Sequence, residues 1–177
     1  RERTPSEKAN NTKTESEEKE YGFALGGPII KDKMHFFVTY EAKRFNTPIT
    51  VVPAGDATPG VPFLPPDVAS QLGPANLPFV ENLYFGKLDW EPTDRDRFEF
   101  TAQIRKETQT GGIGGQDAPS AAYNTKNDDK RYTLRWQHSG EAYFNELLFT
   151  HEDSFNAPVA NILGNGSYYT WETPVAD

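Results

Sequence analysis

The feature that most constrains the fold is a strict two-residue alternation of apolar and polar side chains between residues 97 and 105. Phe98, Phe100, Ala102 and Ile104 occupy one parity, and charged, hydroxyl or amide side chains occupy the other. Successive side chains of a β-strand point to opposite faces. The pattern therefore predicts a strand with one apolar face and one polar face.

Shorter runs of the same kind recur along the chain and predict an all-β fold. The expected antiparallel strands lie near 20–30, 34–46, 84–91, 97–108, 130–138 and 142–155. They make up a β segment over 20–155, preceded by a polar loop at 1–19 that has almost nothing apolar to bury. Long loops are expected at 47–83 and 109–129, and a final loop at 156–177.

The connections between these strands alternate between tight and long. Lys31-Asp32-Lys33, residues 92–96 and Ser139-Gly140-Glu141 are expected to be tight turns. In an up-and-down meander, all tight turns then fall at one edge of the sheet and all long loops at the other. Outer-membrane β-barrels sort their connections in this way, with short periplasmic turns and long extracellular loops. A soluble sandwich has no such requirement.

Aromatic side chains accumulate beside the tight turns, as in the aromatic girdles of transmembrane barrels. The alternative is that they cap the core of a soluble β-protein. On the membrane interpretation, the residues expected to face lipid or form the girdle are Phe36, Trp90, Phe98, Phe100 and Trp136. We also expect one exposed face to be shared by Phe98, Phe100, Ala102, Ile104, Leu134 and Trp136.

Composition removes several classes of function. The chain has 18 Lys and Arg against 26 Asp and Glu, a formal charge of −8, so we expect no nucleic-acid partner. It has 0 Cys, which excludes disulfides and thiolate metal sites. No apolar run approaches the length of a transmembrane helix, which excludes such a helix. The strands of a transmembrane barrel alternate apolar and polar residues, so the lack of a long apolar run does not exclude a barrel.

One segment resembles a known family. Residues 21–45, YGFALGGPIIKDKMHFFVTYEAKRF, resemble the barrel start of Oar-like TonB-dependent outer-membrane receptors, the subgroup that often carries a carboxypeptidase-regulatory-like domain. The family pattern there is GG-P-(I/L)-x-K-D-(K/R) followed by FFF-x-x-Y-E, with an aromatic or Thr more often at the place of His35. The matching residues are Gly26, Gly27, Pro28, Ile29, Lys31, Asp32, Lys33, Phe36, Phe37, Tyr40 and Glu41.

Two further stretches are similar to the same family. FGKLDWEPTDRDRF at 85–98 is like its K-x-D-(W/Y)-x-P-(T/S) turn, and NELLF at 145–149 is a weaker match. The resemblance implies an internal fragment of a 22-stranded barrel that takes up a large solute actively. The implied partners are outer-membrane lipid, a plug domain and TonB outside this chain, and an unidentified solute. The implied location is the outer membrane of a Gram-negative bacterium.

No residue pattern indicates catalysis, a cofactor or a metal. The three histidines lack HExxH spacing, and GGIGG at 111–115 lacks the Gly-Lys-Ser/Thr of a phosphate loop. We therefore expect no enzyme, no cofactor and no metal site. Candidate ligand contacts are Arg131 and Arg135, expected to face the lumen, and Tyr168, Tyr169 and Trp171 of the last loop. The alternative roles are solvation of the lumen for the arginines and the girdle of a following strand for the aromatics.

Three functions remain open at this point. The first is a segment of an active TonB-dependent importer, the second is a passive porin-like outer-membrane barrel, and the third is a soluble β-rich module for carbohydrate binding or adhesion. The resemblance of residues 21–45 favours the importer over the porin. The sorted connections favour both barrels over the soluble module.

Overall fold

The computed structural model describes residues 2, 8, 16–53 and 66–162. The described part is dominated by β-strands, with one short α-helix, α1 (Pro66–Ala69), and a 3-10 turn at Pro119–Ala121. No helix among these residues is long and apolar enough to cross a membrane. The strands are β1 (Glu17–Ile30), β2 (Met34–Val51), β3 (Gly73–Thr93), β4 (Asp96–Gly111), β5 (Tyr123–Ser139) and β6 (Phe144–Ala160).

The six strands form one antiparallel sheet in sequential order, β1-β2-β3-β4-β5-β6. Each strand pairs with its neighbours in the sequence, and within the described residues β1 and β6 have no second partner strand, so this part of the sheet is open at both edges. Register is continuous along each strand pair except beside two tight turns, at Pro28/Ile30 and Trp90/Thr93. The predicted all-β meander of six strands is confirmed.

The three tight turns lie at one edge of the sheet. In the first turn Lys33 N donates to Ile30 O at 3.1 Å, and Asp32 has a φ of 63°, which Asp tolerates better than most residues. In the second turn the Thr93 hydroxyl accepts from the backbone N–H of Asp96 at 3.0 Å. A backbone hydrogen bond thus closes the first turn and a short polar side chain the second, at places that the sequence already marked.

The strands run further toward the long loops than the sequence indicates, which corrects the predicted loops at 47–83 and 109–129. Strand β2 continues to Val51, β3 begins at Gly73, and β5 begins at Tyr123. Residues 126–129 of β5 carry polar side chains on both faces, and the added segments of β2 and β3 contain Pro48, Pro74 and Pro78. Such segments lack two-residue alternation, but their backbone groups still pair, so the ladder continues where the pattern ends. For the same reason β1 begins at Glu17, inside the predicted polar loop at 1–19.

The Gly-rich connection at residues 112–122 folds back onto the sheet, although the sequence predicts only a long loop there. Val52 N donates to Gly115 O at 2.7 Å, and Gly115 N donates to Thr50 O at 3.1 Å. Gly112, Gly114 and Gly115 all have positive φ, a conformation that Gly adopts at no steric cost. Three left-handed residues let the chain turn back toward β2.

The sheet has little hydrophobic core. Among the described residues, the buried apolar side chains are only Ala42, Val51 and Ala122. Large apolar side chains remain open to the surroundings, with Leu25 58% and Phe149 64% exposed. A soluble domain buries the apolar face of its sheet under a second layer. This sheet has no such layer in its described part, so its apolar face needs a partner outside it.

Two glycines of β1 provide a matched test of the first hairpin. A Cβ at Gly22 would collide with Tyr40 O and lie 3.2 Å from Glu41 Cα, whereas a Cβ at Gly27 would have no atom within 4 Å. In the full-length protein we expect Gly22→Ala to lower the free energy of unfolding by about 1–3 kcal/mol, the usual cost of overpacking. Gly27→Ala should change it little. Urea titration in detergent micelles measures both, and equal stability of the two variants would contradict this hairpin geometry.

Candidate functional site

The continuous register divides the sheet into two faces of different chemistry. Residues that oppose one another across successive strands form a row and lie on the same face. Phe98 pairs with Trp136 and Phe100 with Leu134, and Ala102 and Ile104 have the same parity on β4. The prediction that the six residues named above share one face is confirmed, and none of the six is buried. We call this side the apolar face and the opposite side the polar face.

Three large aromatic side chains form one row of the apolar face beside the tight turns. The ring centroids of Trp90 and Phe98 are 5.4 Å apart, and those of Phe98 and Trp136 are 6.3 Å apart. The indole Nε1–H of Trp136 donates to Asp96 Oδ1 at 3.2 Å, next to the turn. An aromatic body with its polar atom directed to the turn is the arrangement expected of side chains at a membrane–water interface.

The other two residues predicted to face lipid lie one row further from the turns. Phe36 and Phe100 both oppose Leu88 of β3, so they are on the apolar face together with the three aromatics. The structure therefore brings all five predicted girdle and lipid-facing residues to one side of the sheet. Their contact with lipid stays a prediction.

The polar limit of the apolar face runs obliquely to the rows. Moving from the row of Trp90, Phe98 and Trp136 toward the long loops, we take on each strand the first Lys, Arg, Asp, Glu, Asn or Gln of apolar-face parity. Paired by row, these residues are Lys19 with Arg44, then Asn82 with Lys106, then Lys130 with Asp153. Each pair is one row nearer the turns than the pair before it.

The slope of this limit relative to the rows can be compared with the tilt of barrel strands from the membrane normal. One row is two residues, about 6.7 Å along a strand, and two strand spacings are about 9.6 Å, which corresponds to an angle of about 35°. Strands of transmembrane β-barrels tilt by about 35–45° from the membrane normal. The slope of the limit lies at the lower end of this range.

The polar face carries charges that neutralise one another. Arg105 Nε donates to Glu81 Oε2 at 2.8 Å, and the same guanidinium contacts Glu107. Asn127 Nδ2 also donates to Glu107 Oε1 at 2.6 Å. Glu81 and Glu107 are each only 6% exposed, so Arg105 compensates two buried carboxylates. The sequence missed this cluster because Glu81 falls inside the predicted loop at 47–83.

Both predicted arginine contacts lie on the polar face, but they do not form one site. Arg131 makes a two-point contact with Glu152, at 3.0 Å from Nε and 2.8 Å from Nη2. It lines a shallow cavity of about 260 Å³, which does not include Arg135. Arg135 lies 4.0 Å from Glu146, and its buried Nε has no hydrogen-bond partner in the described part of the chain. The predicted aromatic contacts Tyr168, Tyr169 and Trp171 lie outside the described residues.

Metal binding has no geometric support in the described ranges, where no group of three or more His, Asp or Glu side chains could hold an ion. The stretch His151-Glu152-Asp153 in the middle of β6 illustrates the reason. Strand alternation places His151 and Asp153 on the apolar face and Glu152 on the polar face. Neighbours in the sequence are therefore separated in space.

The comparisons with known proteins agree with this geometry. Residues 3–60 match the family model of an outer membrane beta barrel domain. The match supports an outer-membrane β-barrel protein and, with it, a place in the outer membrane of a Gram-negative bacterium. It includes β1 and β2, the hairpin with the best-defined turn motif. Comparisons with curated proteins and with solved structures give no match.

Adjacent residues at the middle of β5 test the assignment of the faces. Leu134 is on the apolar face and 45% exposed, whereas Thr133 is on the polar face opposite Thr101 and Thr150. We expect Leu134→Arg to destabilise the folded full-length barrel in lipid by ~2–4 kcal/mol, the cost of Arg at the bilayer midplane. Thr133→Arg should cost far less because the side chains opposite it, Thr101 and Thr150, are neutral and polar. Unfolding titrations in lipid vesicles compare the two, and the reverse order would mean that the faces are exchanged.

Two arginines of the polar face test the buried carboxylates. Arg105→Ala leaves Glu81 and Glu107 without their main counter-charge, and we expect a loss of about 3–5 kcal/mol in the free energy of unfolding. Arg131→Ala removes a partner of Glu152, whose side chain is 48% exposed, and should cost under about 1 kcal/mol. Urea titration of both variants in detergent measures the difference. Equal losses would show that burial of the two carboxylates does not matter.

Proposed function

We propose that the chain forms part of the barrel wall of a TonB-dependent outer-membrane receptor that takes up a large solute actively. The observation that supports this most is the first hairpin. The segment that resembles such receptors folds as β1, a three-residue turn and β2, and its glycines oppose its aromatics: Gly26 pairs with Phe37 and Gly27 with Phe36. A Cβ at Gly26 would lie 2.9 Å from the ring of Phe37, so this glycine of the motif has a structural role in the hairpin.

The polar face is proposed to be the wall of the lumen. Water and the plug domain would meet the paired charges of this face, including Arg131 and Arg135. The six strands would then be about a quarter of a 22-stranded wall, and the two open sheet edges would pair with further strands. The apolar face would contact lipid. In this role the chain itself carries out no catalysis and needs no cofactor, and it has no nucleic-acid partner.

The runner-up is a passive porin-like barrel, whose water-filled channel would also require a polar face. The two functions differ in whether the intact protein conducts. A receptor with its plug in place is closed, whereas a porin is open without any energy source.

Conductance of the full-length protein in planar bilayers separates the two functions. We expect the intact protein to be closed and a variant with its plug domain deleted to conduct steadily. We also expect the intact protein to be retained by the isolated periplasmic domain of TonB. A stable open conductance of the intact protein, without retention by TonB, would refute the receptor and favour the porin.

A further inference from the structure

The cations of the sheet differ between its two faces. On the polar face, Lys43, Lys87, Arg97, Arg105, Arg131 and Arg135 each lie within 4.0 Å of a carboxylate. On the apolar face, Arg44, Lys106 and Lys126 have no such carboxylate among the described residues. Three cations of the apolar face therefore lack the ion pair that each of these polar-face cations has, although acidic residues outnumber basic ones in the chain, 26 to 18.

These unneutralised cations gather at the polar limit of the apolar face. Arg44 and Lys106 are themselves limit residues, and Lys126 lies two rows beyond Lys130 on β5. With Lys19 and Lys130, which pair with Glu17 and Asp153, they form what we call the cationic rim. Asp128 opposes Lys106 across the ladder but makes no ion pair with it among the described residues.

Arg44 is held in place by neutral groups. Its Nη1 donates to Lys43 O at 2.8 Å and Glu81 O at 2.6 Å, and its Nη2 donates to Asn82 Oδ1 at 2.6 Å. Asn82 also accepts from the Tyr40 hydroxyl at 3.0 Å. These contacts fix the guanidinium without cancelling its charge, so its position is set before any anion arrives.

An apolar groove lies directly on the turn side of the rim. It has a volume of about 500 Å³, and its floor is made by Gly86, which opposes Val38 on β2 and Ala102 on β4. A Cβ at Gly86 would meet no atom within 4 Å. Tyr40, Tyr84 and Ile104 form the next row, between this floor and the rim. The groove therefore follows β3, with Arg44 on one neighbouring strand and Lys106 on the other.

We propose that the cationic rim and this groove bind one lipid of the membrane leaflet at the long-loop edge, a lipid whose headgroup carries more than one phosphate. The phosphates would contact Arg44, Lys106 and Lys126, and an acyl chain would lie over Gly86. The inference rests on the membrane placement in the proposed function, not on TonB or transport. Separate cations two strands apart favour a headgroup with several phosphates over a single one.

The long-loop edge of an outer-membrane barrel is its extracellular edge, so the lipid belongs to the outer leaflet. The probe is therefore a purified diphosphorylated outer-leaflet glycolipid, titrated against the full-length protein in detergent and followed by native mass spectrometry. The test variant is Lys106→Gln with Lys126→Gln, because neither lysine makes an ion pair in the described ranges. The control is Lys31→Gln with Lys33→Gln, which removes the same charge at the opposite edge.

We expect half-saturation of the test variant at a roughly 25-fold higher lipid concentration, because each basic residue near an anionic surface contributes about a fivefold factor. The control should bind like the unaltered protein. Gly86→Leu, whose Cβ would meet no atom within 4 Å, places a larger side chain in the groove and should also weaken lipid binding while leaving the urea midpoint unchanged. Unaltered binding by the double variant and by Gly86→Leu would overturn the proposal.

Two other outcomes identify different occupants and would also overturn it. Displacement of the lipid by millimolar inorganic phosphate, with no effect of Gly86→Leu, would indicate a site for soluble anions. A change of oligomeric state in Gly86→Leu, without a change in lipid binding, would indicate that a second copy covers the groove. Failure of the proposed receptor function can be distinguished from failure of this lipid site. If the intact protein conducted like a porin, the receptor function would be refuted, but lipid binding would be unchanged.

Discussion

The hydrogen-bonded register of the six strands is the constraint on which the rest of the structure depends. Once the pairing is continuous, the parity of a residue decides its face, and a slip of one residue would exchange the faces of a whole strand. Continuous pairing also satisfies the backbone N–H and C=O groups within the sheet. In lipid each unsatisfied group would cost several kcal/mol, so the ladder must be complete before an apolar face can be left uncovered.

The two faces carry the same types of charged residue but differ in how far these charges are neutralised by ion pairs. On the polar face, Glu81 and Glu107 are nearly buried and share Arg105, so charge is balanced inside the protein. On the apolar face, Arg44 bonds only neutral oxygens, and Lys106 has no ion pair in the part of the chain that the structure describes. Charge left unbalanced at one place, beside a hydrophobic surface, is the chemistry that complements an anionic lipid.

The aromatic row and the cationic rim bound the apolar face from its two sides. Trp90, Phe98 and Trp136 end it beside the tight turns, and the rim ends it toward the long loops. The oblique course of the polar limit agrees with the tilt of strands in a closed barrel. This geometry and the family match to residues 3–60 both support an outer-membrane barrel.

The sequence by itself determined the number of strands and the faces of the central residues, because a period of two is a local property of the chain. It also determined the tight turns and the strand order, because the connections alternate between tight turns and long loops. Its limits appear where the physics is non-local. The outer ends of the strands are either interrupted by Pro48, Pro74 and Pro78 or, as at residues 126–129, polar on both faces, so two-residue alternation does not mark them. The return of residues 112–122 depends on Gly115 reaching Thr50, and the cluster at Arg105 joins carboxylates from β3 and β4. Contacts between distant residues leave no periodic trace, so only the tertiary structure decided them.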